Sequence, residues 1–485
     1  MSVRRPNILL CICDDLGWGD VACHGNPFVR TPRLDELHHD GSRLTRYCSG
    51  PLCTAARARL MTGRCDYRTR AIDTYRGRSI LEPREITLAQ VLRDAGYATG
   101  LFGKWHLGDT YPCRPHDKGF DEALYHTGGG LRQPANIGRA SYFDPDLMHN
   151  GRLTPTSGYC TDVYTDAALD WLAQRGARVG SGEEPWFCYW ATNAPHDPLE
   201  IGEEWAAPYR EMDLPDAVAR LYGMVANIDH NVGRLLDGLD RLGRRDDTLV
   251  IFTSDHGPAG VRWNGGLRGQ KCQLYEGGIR VPCLLRWPGH LAAGRDVGGL
   301  ANPIDWLPTL AAIAGADVPT DRAIDGWNLW PALSAEVDES DWAERWLPMQ
   351  WHRGNRPERF RHAAVVGTRF KWHRPDGGSD ELYDLAADPA EQTNLAAERP
   401  ALVAELRGVY EAWFDDVSTS WAATPEEHYQ SVPIALGTPH ENPTALTRQD
   451  WRVDSGIESW NPDNPGWWDV DVAHVGPYRL TIDLP

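Results

Sequence analysis

The chain has no long apolar run, no surplus of positive charge, no CxxC motif and no internal repeat, and each absence closes off a class of function. The opening MSVRRPNILLCICDD carries two arginines ahead of a short apolar run that ends in Asp14 and Asp15. That run falls well short of the roughly 20 apolar residues a membrane helix needs, and no small-residue cleavage site follows it. No signal peptide and no membrane partner are expected. Lys and Arg total 49 against 68 Asp and Glu, a formal charge of -19. A nucleic-acid binder needs a basic footprint to neutralise phosphates, so no nucleic-acid partner is expected either. The same field repels polyanions at long range and favours small or weakly charged ligands held in a local pocket. Eleven cysteines at scattered spacings argue against a zinc ribbon or a thioredoxin-like site. They read as reduced thiols, and the expected location is cytoplasmic.

What is present is the composition of an ordinary globular protein, 41% hydrophobic and 24% charged over 485 residues, which rules out a largely disordered chain. Four short apolar runs stop abruptly at chemically capable residues: NILLCIC at Asp14 and Asp15, TLVIFTS at Asp255 and His256, YATGLFGKWH at Lys104 and His106, and PWFCYWATNAPH at Asn193 and His196. Runs of this kind bounded by Gly, Pro and Asp predict strands buried on both faces. Between them, Thr87 to Ala95 before Gly96, and Ala219 to Leu242 before Gly243, carry helical patterns. The alternation predicts an α/β fold, a large mainly parallel sheet sandwiched by helices, with ligands gathered beyond the carboxyl ends of its strands.

Residues 1–340 are assigned to this catalytic domain. In 341–425, VVGTRFKWHRPDGGSDELYDL predicts two strands around a Gly-Gly turn and Ala401 to Phe414 an amphipathic helix, giving a smaller C-terminal α+β domain with an antiparallel sheet. The Trp- and Pro-rich tail, 426–485, alternates like β-strands, and is expected either to dock on the body or to belong to a truncated module.

The segment GPLCTAARARLMTGR sets Cys53 at the start of a predicted helix, where the positive end of the backbone dipole makes a thiol reactive. With PNILLCICDDLGWGD, GYATGLFGKWHLG, APHDPLE, FTSDHG and KCQLYEGGIRVP in this order, the chain resembles the sulfatase family, a branch of the alkaline-phosphatase superfamily, up to about residue 415. The resemblance implies a sulfuric ester hydrolase of arylsulfatase type acting on a small aryl or carbohydrate sulfate. It implies that Cys53 is oxidised to formylglycine by a formylglycine-generating maturase. A hydrated aldehyde carries two hydroxyls, so that one attacks sulfur and the other later expels sulfate by re-forming the carbonyl. This chain departs from the commonest motif at Ala55 and Ala56, where Pro and Ser are frequent.

The resemblance further assigns Asp14, Asp15, Asp255, His256 and the modified Cys53 to one divalent cation. Carboxylates suit Ca²⁺, and the imidazole of His256 also admits Mn²⁺; Mg²⁺ is a further option. Arg57, one turn beyond Cys53, is expected to support the hydrate and the metal ligands. Asp255 is a candidate acceptor for the nucleophile's proton. Lys104, Lys271 and His196 take the sulfate and the leaving group, with His196 or Lys271 as the acid, and His106 is the base that releases sulfate. Asn193 and the glycine-rich HTGGGLRQ, His126 to Gln133, read as a loop near the pocket, receive no chemistry; discrimination among leaving groups is expected from pocket loops such as Gly128 to Arg152 and from the Trp-rich C-terminal part. Two alternatives stay open: a phosphonate or phosphate ester hydrolase of the same superfamily, and an inactive metal-binding relative whose cysteine is never modified.

Overall fold

The computed structural model describes residues 5–133, 135–176, 184–335, 342, 344–422, 432–452 and 466–482. Its main sheet has ten strands: β1 (Asn7–Cys13), β2 (Ser42–Tyr47), β3 (Ala98–Lys104), β4 (Glu122–His126), β5 (Asp146–His149), β6 (Arg152–Pro155), β7 (Trp186–Ala191), β8 (Thr248–Ser254), β9 (Cys283–Arg286) and β10 (Arg295–Ala301). Their order is β10-β2-β9-β8-β1-β7-β3-β4-β5-β6. The four apolar runs read from the sequence are the neighbouring strands β8, β1, β7 and β3, all parallel, with β4 parallel beside them. Strands β9 and β5 run antiparallel to their neighbours, so the sheet is mixed but mostly parallel.

The central strands are buried at every position and mostly apolar because each face meets a core. Leu9, Cys11 and Cys13 of β1 join Trp190, Phe252 and the helix Asp216–Arg241 on one side. Ile8, Leu10 and Ile12 join Trp105 and Trp306 on the other. Each Leu or Ile buried in this way stabilises the fold by about 1.5 to 3 kcal/mol. The helix Leu88–Asp94 starts at Thr87, whose hydroxyl accepts the Gln90 N–H while the Gln90 side chain returns to the Thr87 N–H. The helix Asp216–Arg241 begins three residues ahead of its apolar pattern, because Asp216 and Ala217 are exposed and Val218 is only partly buried, so the first turn adds nothing to the buried stripe. It stops before Gly243 at φ 64°.

Strands β5 and β6 fall within or beside the stretch read as a pocket loop. They escape sequence reading because each is four residues long and half exposed, with no apolar run to mark it.

A second sheet, β11 (Leu347–Gln350), β12 (Ala363–Val366), β13 (Phe370–Arg374) and β14 (Glu381–Asp384), is antiparallel throughout. The Gly-Gly turn joins β13 to β14; β12 is a further strand, split off by a turn in which the Gly367 N–H donates to the Phe370 carbonyl. The helix Pro400–Ala422 covers this sheet and runs beyond Phe414, since Val417 and Trp421 extend its buried stripe. The predicted boundary between 340 and 341 lies outside the described residues. The C-terminal segment forms β15 (Ile434–Leu436) paired with β16 (Val470–Val472), and Val432 and Ile434 pack on Ile80 and Cys113 of the main body. Of the predicted tail, 426–431, 453–465 and 483–485 lie outside the described residues. Among the described residues no helix is long and apolar enough to cross a membrane.

Candidate active site

The carboxyl ends of β1, β8, β3 and β7 deliver their polar residues to one edge of the sheet, and the helix Cys53–Thr62 starts against that edge. All ten residues of this helix are buried, and Leu52 ahead of it is extended and offers no side-chain cap. The first N–H groups of the helix therefore face the site without a capping side chain. Cys53 Sγ lies 3.1 Å from His256 Nε2. The same nitrogen is 3.3 Å from Asp15 Oδ1, 3.5 Å from Asp255 Oδ1 and 3.8 Å from Asp14 Oδ1.

This crowding suits a cation. One ligand atom each from Asp14, Cys53, Asp255 and His256 lie within 4.8 Å of one another, and Asp14, Asp15 and His196 form an overlapping group. Asp14 Oδ1 is buried without a hydrogen-bond donor, as an oxygen reserved for a metal would be. His256 Nδ1 lies 2.9 Å from the Gly257 carbonyl, which can only accept, so Nδ1 carries the proton and a neutral ring turns the Nε2 lone pair toward the carboxylates. Without a cation, burial works against the imidazolium, but Asp255 and Cys53 outweigh it and push His256 up to about 9. The donor set fits a divalent cation.

Three site residues occupy left-handed backbone conformations: Asp15 at φ 67°, His106 at φ 59° and Cys272, next to Lys271, at φ 70°. Such φ values are uncommon outside glycine and cost energy that the surrounding contacts must offset. They turn the chain sharply at the strand ends, so that Asp14 and Asp15, consecutive in sequence, both reach the same nitrogen.

Arg57 is fully buried one turn beyond Cys53. Its Nε donates to Asp255 Oδ2 at 3.0 Å and its Nη1 to the Lys104 carbonyl at 3.2 Å. Burial disfavours the guanidinium, yet Asp255 and the further acidic groups hold its charge firmly in place. Lys104 Nζ meets Asp14 Oδ2 at 2.5 Å, and Lys271 Nζ meets Asp15 Oδ1 at 2.6 Å. Burial would raise both aspartates, but these ammonium groups and His196 keep them below the usual carboxylate range.

The two remaining histidines differ in setting. His196 donates from Nδ1 to the Asp197 carbonyl at 2.7 Å, and its Nε2 stands 3.9 Å from Asp15 at the partly open rim. His106 is buried, with Nε2 3.0 Å from the Thr74 carbonyl and Nδ1 unpartnered. Burial and then Lys104 hold it well below the usual imidazole range, so it is neutral and Nδ1 is a free acceptor.

The glycine-rich stretch, left without chemistry in the sequence reading, borders the site. His126 ends β4 directly beside Lys104, and burial lowers it to about 3. A Cβ on Gly129 would sit 2.7 Å from the His106 ring, so only glycine lets this loop pass so close. Gly130 is less confined: a Cβ there would lie 3.6 Å from His196 Nδ1, an ordinary van der Waals distance. Asn193 is fully buried and its carbonyl accepts the His196 N–H. The usable signal was strand register: YH at the end of an apolar run follows the plan of the four recognised strands.

The family description "Sulfatase" fits residues 6–316, and "N-sulphoglucosamine sulphohydrolase, C-terminal" fits residues 269–408. Arylsulfatase A of Homo sapiens is 34% identical over 440 residues, spanning 83% of this chain and 82% of its own length. N-acetylgalactosamine-6-sulfatase of Homo sapiens is 35% identical over 358 residues, 68% of this chain and 66% of that protein. Among solved structures, Ps i-CgsB in complex with k-i-k-neocarrahexaose superposes with a TM-score of 0.77 at 28% identity, over 87% of this chain and 99% of the other. The phosphonate monoester hydrolase of Agrobacterium radiobacter gives 0.60 at 25% identity, over 84% and 96%.

Proposed function

This chain belongs to the sulfatase family and is a sulfate ester hydrolase, and from that premise we propose that it cleaves sulfate monoesters of small saccharides. The observation that carries the proposal is the meeting of Cys53 Sγ, three carboxylates and His256 Nε2 at one sheet edge, with Lys104 and Lys271 beside them. A saccharide leaving group is supported by the relative that acts on an N-acetylgalactosamine 6-sulfate and by the relative solved with a neocarrahexaose.

Asp14, Asp15, Asp255 and His256 would hold a divalent cation, Ca²⁺ by the weight of carboxylate oxygens, with Mn²⁺ or Mg²⁺ as further options. Such an ion supplies Lewis-acid polarisation and fixed positive charge. Formylglycine made from Cys53 by a maturase supplies, as its hydrate, two hydroxyls on one carbon, one to attack sulfur and one to release sulfate.

The chain's own side chains divide the remaining work. Arg57 fixes Asp255 and the backbone of Lys104 at once, so the carboxylate and the ammonium keep their spacing. Asp255, within reach of residue 53, accepts the proton of the attacking hydroxyl. Lys104 and Lys271 bind the sulfonate oxygens where negative charge builds up, usually the largest electrostatic contribution in such transfers. His196, on the open rim, protonates the departing sugar oxygen, with Lys271 the alternative donor; such a step contributes about 10² to 10⁴ in rate. His106 takes the second hydroxyl's proton at Nδ1.

The test is peptide mass spectrometry of the Cys53 segment from protein co-produced with a formylglycine-generating enzyme, followed by a screen of sulfated mono- and disaccharides. The mass change of thiol-to-aldehyde conversion and turnover of a saccharide sulfate are expected. An unmodified Cys53 despite a working maturase would mean that Ala55 and Ala56 break the signal. A second reading, phosphonate or phosphate ester hydrolysis by the same residues, is favoured by the similarity to the phosphonate monoester hydrolase. Matched sulfate, phosphate and phosphonate monoesters separate the two.

A further inference from the structure

The C-terminal segment lies beyond the residues that either family description covers, yet it reaches the catalytic histidine. Gln449 is 2% exposed and directs its side-chain Nε2 to the Thr74 carbonyl, to Ser79 Oγ at 3.0 Å and to within 3.4 Å of His106 Nε2. Its backbone carbonyl accepts the Gly77 N–H at 3.0 Å. Arg452, 3% exposed, lies so close over Gly77 that a Cβ there would fall 2.3 Å from its guanidinium. The loop from Thr74 to Ser79 is thus gripped at Thr74, Gly77 and Ser79 by residues more than 350 positions later.

The grip has a chemical consequence. The Thr74 carbonyl accepts from both Gln449 and His106 Nε2, so its two lone pairs are both used. A carbonyl cannot donate, so His106 keeps its proton on Nε2 and the lone pair on Nδ1, the atom the mechanism needs as base. The amide of Gln449 spends its two N–H groups on Thr74 and Ser79, so it offers none to His106 Nε2, where a donor would favour the wrong tautomer.

We propose that Gln449 is a positioning residue for His106: by clamping the Thr74 carbonyl, the C-terminal segment fixes the imidazole in its Nε2–H tautomer and completes the active site. The catalytic consequence rests on the sulfatase reading; the tautomer itself does not. The segment is anchored to the main body independently of the site: Tyr111 stacks on His440 with ring centroids 4.5 Å apart, and the Tyr111 N–H donates to Glu441 at 2.8 Å. Within the segment, Trp468 packs edge-on against Trp451 and donates to the Thr447 carbonyl.

The experiment uses the full chain, co-produced with the maturase and carrying isotope-labelled histidine. Long-range heteronuclear NMR assigns each tautomer, and His106→Ala identifies the His106 signal. The parent protein is expected to show His106 as a single Nε2–H tautomer; an Nδ1–H pattern overturns the proposal outright, whatever any variant does. In Gln449→Met, which keeps the length and removes the donors, the single-tautomer signature is expected to give way to exchange between tautomers. With an aryl sulfate probe, kcat should fall about tenfold or more with KM nearly unchanged. A Gln449→Met protein that keeps both the Nε2–H signature and kcat overturns the proposal. Should the parent turn over no sulfate ester, the sulfatase reading fails, while the NMR result still decides the role of Gln449.

Discussion

At the scale of single residues, the site is a balance of buried charges in which every member has a partner of opposite sign. Asp14 answers Lys104, Asp15 answers Lys271 and Asp255 answers Arg57. Removing Cys53, the proposed precursor of the nucleophile, should leave this frame standing. Cys53→Ala is expected to lower kcat by more than about 10⁴-fold, with the melting temperature close to the parent's. Residual turnover near the parent level would place the nucleophile elsewhere. His256 differs, because its Nε2 lone pair faces the three carboxylates and its Nδ1 is spent on the Gly257 carbonyl. His256→Ala is expected to weaken divalent-metal binding by at least about tenfold, measured by titration calorimetry with Ca²⁺. Equal affinity in the variant would remove His256 from the ligand set.

At the scale of elements, two contacts join segments that lie far apart in sequence. Lys371 of β13 is fully buried between Glu276 at 3.3 Å and Glu391 at 2.9 Å, with Arg46 of β2 at 3.3 Å from Glu276. This cluster pins the short helix that follows the Lys271 loop against the small sheet. Lys371→Met should strand the Glu391 carboxylate in the interior, while Glu276 keeps Arg46, and cost about 3 to 5 kcal/mol, read as a lowered melting temperature. A drop of only a degree or two would mean that water enters the cluster.

The second is a proximity rather than a bond: Asp109, after β3, lies near enough to Asp450 of the C-terminal segment to feel its charge. Burial, and for Asp109 also the charge of Asp450, pushes both up to about 7 from the ordinary 3.8. A carboxyl group raised in the folded state binds more protons there than in the unfolded chain. Its stabilisation is complete below about pH 4 and is lost as pH rises through about 7. Asp450→Asn should flatten the decline of melting temperature across that window. An unaltered slope would assign the decline to other groups.

At the scale of the whole molecule, two cores on either face of a ten-stranded sheet hold the site at the sheet's edge. The aspartates that would hold the cation come together only in the folded chain, so metal binding and folding are linked. Ca²⁺ at 100 times its dissociation constant should add about 2.7 kcal/mol, and a chelator should remove it. Calorimetric melting with and without Ca²⁺ measures this directly; identical curves would show that the folded chain does not bind the ion.

The sequence by itself determined the strands that build the site. Parallel strands buried on both faces are mostly apolar on both, so β1, β3, β7 and β8 declare themselves as short apolar runs, and their polar ends name Asp14, Lys104, His196 and Asp255. Short or half-exposed strands such as β5, β6 and β10 leave no such trace, since solvent accepts almost any residue on their open faces. Only the tertiary structure decided which nitrogen of His106 carries a proton, why Gly129 must lack a side chain, and that Gln449 sits beside a histidine 343 positions earlier. The reason is physical: apolar periodicity reports local burial, whereas a hydrogen bond between distant segments has no period and exists only once the chain has closed on itself.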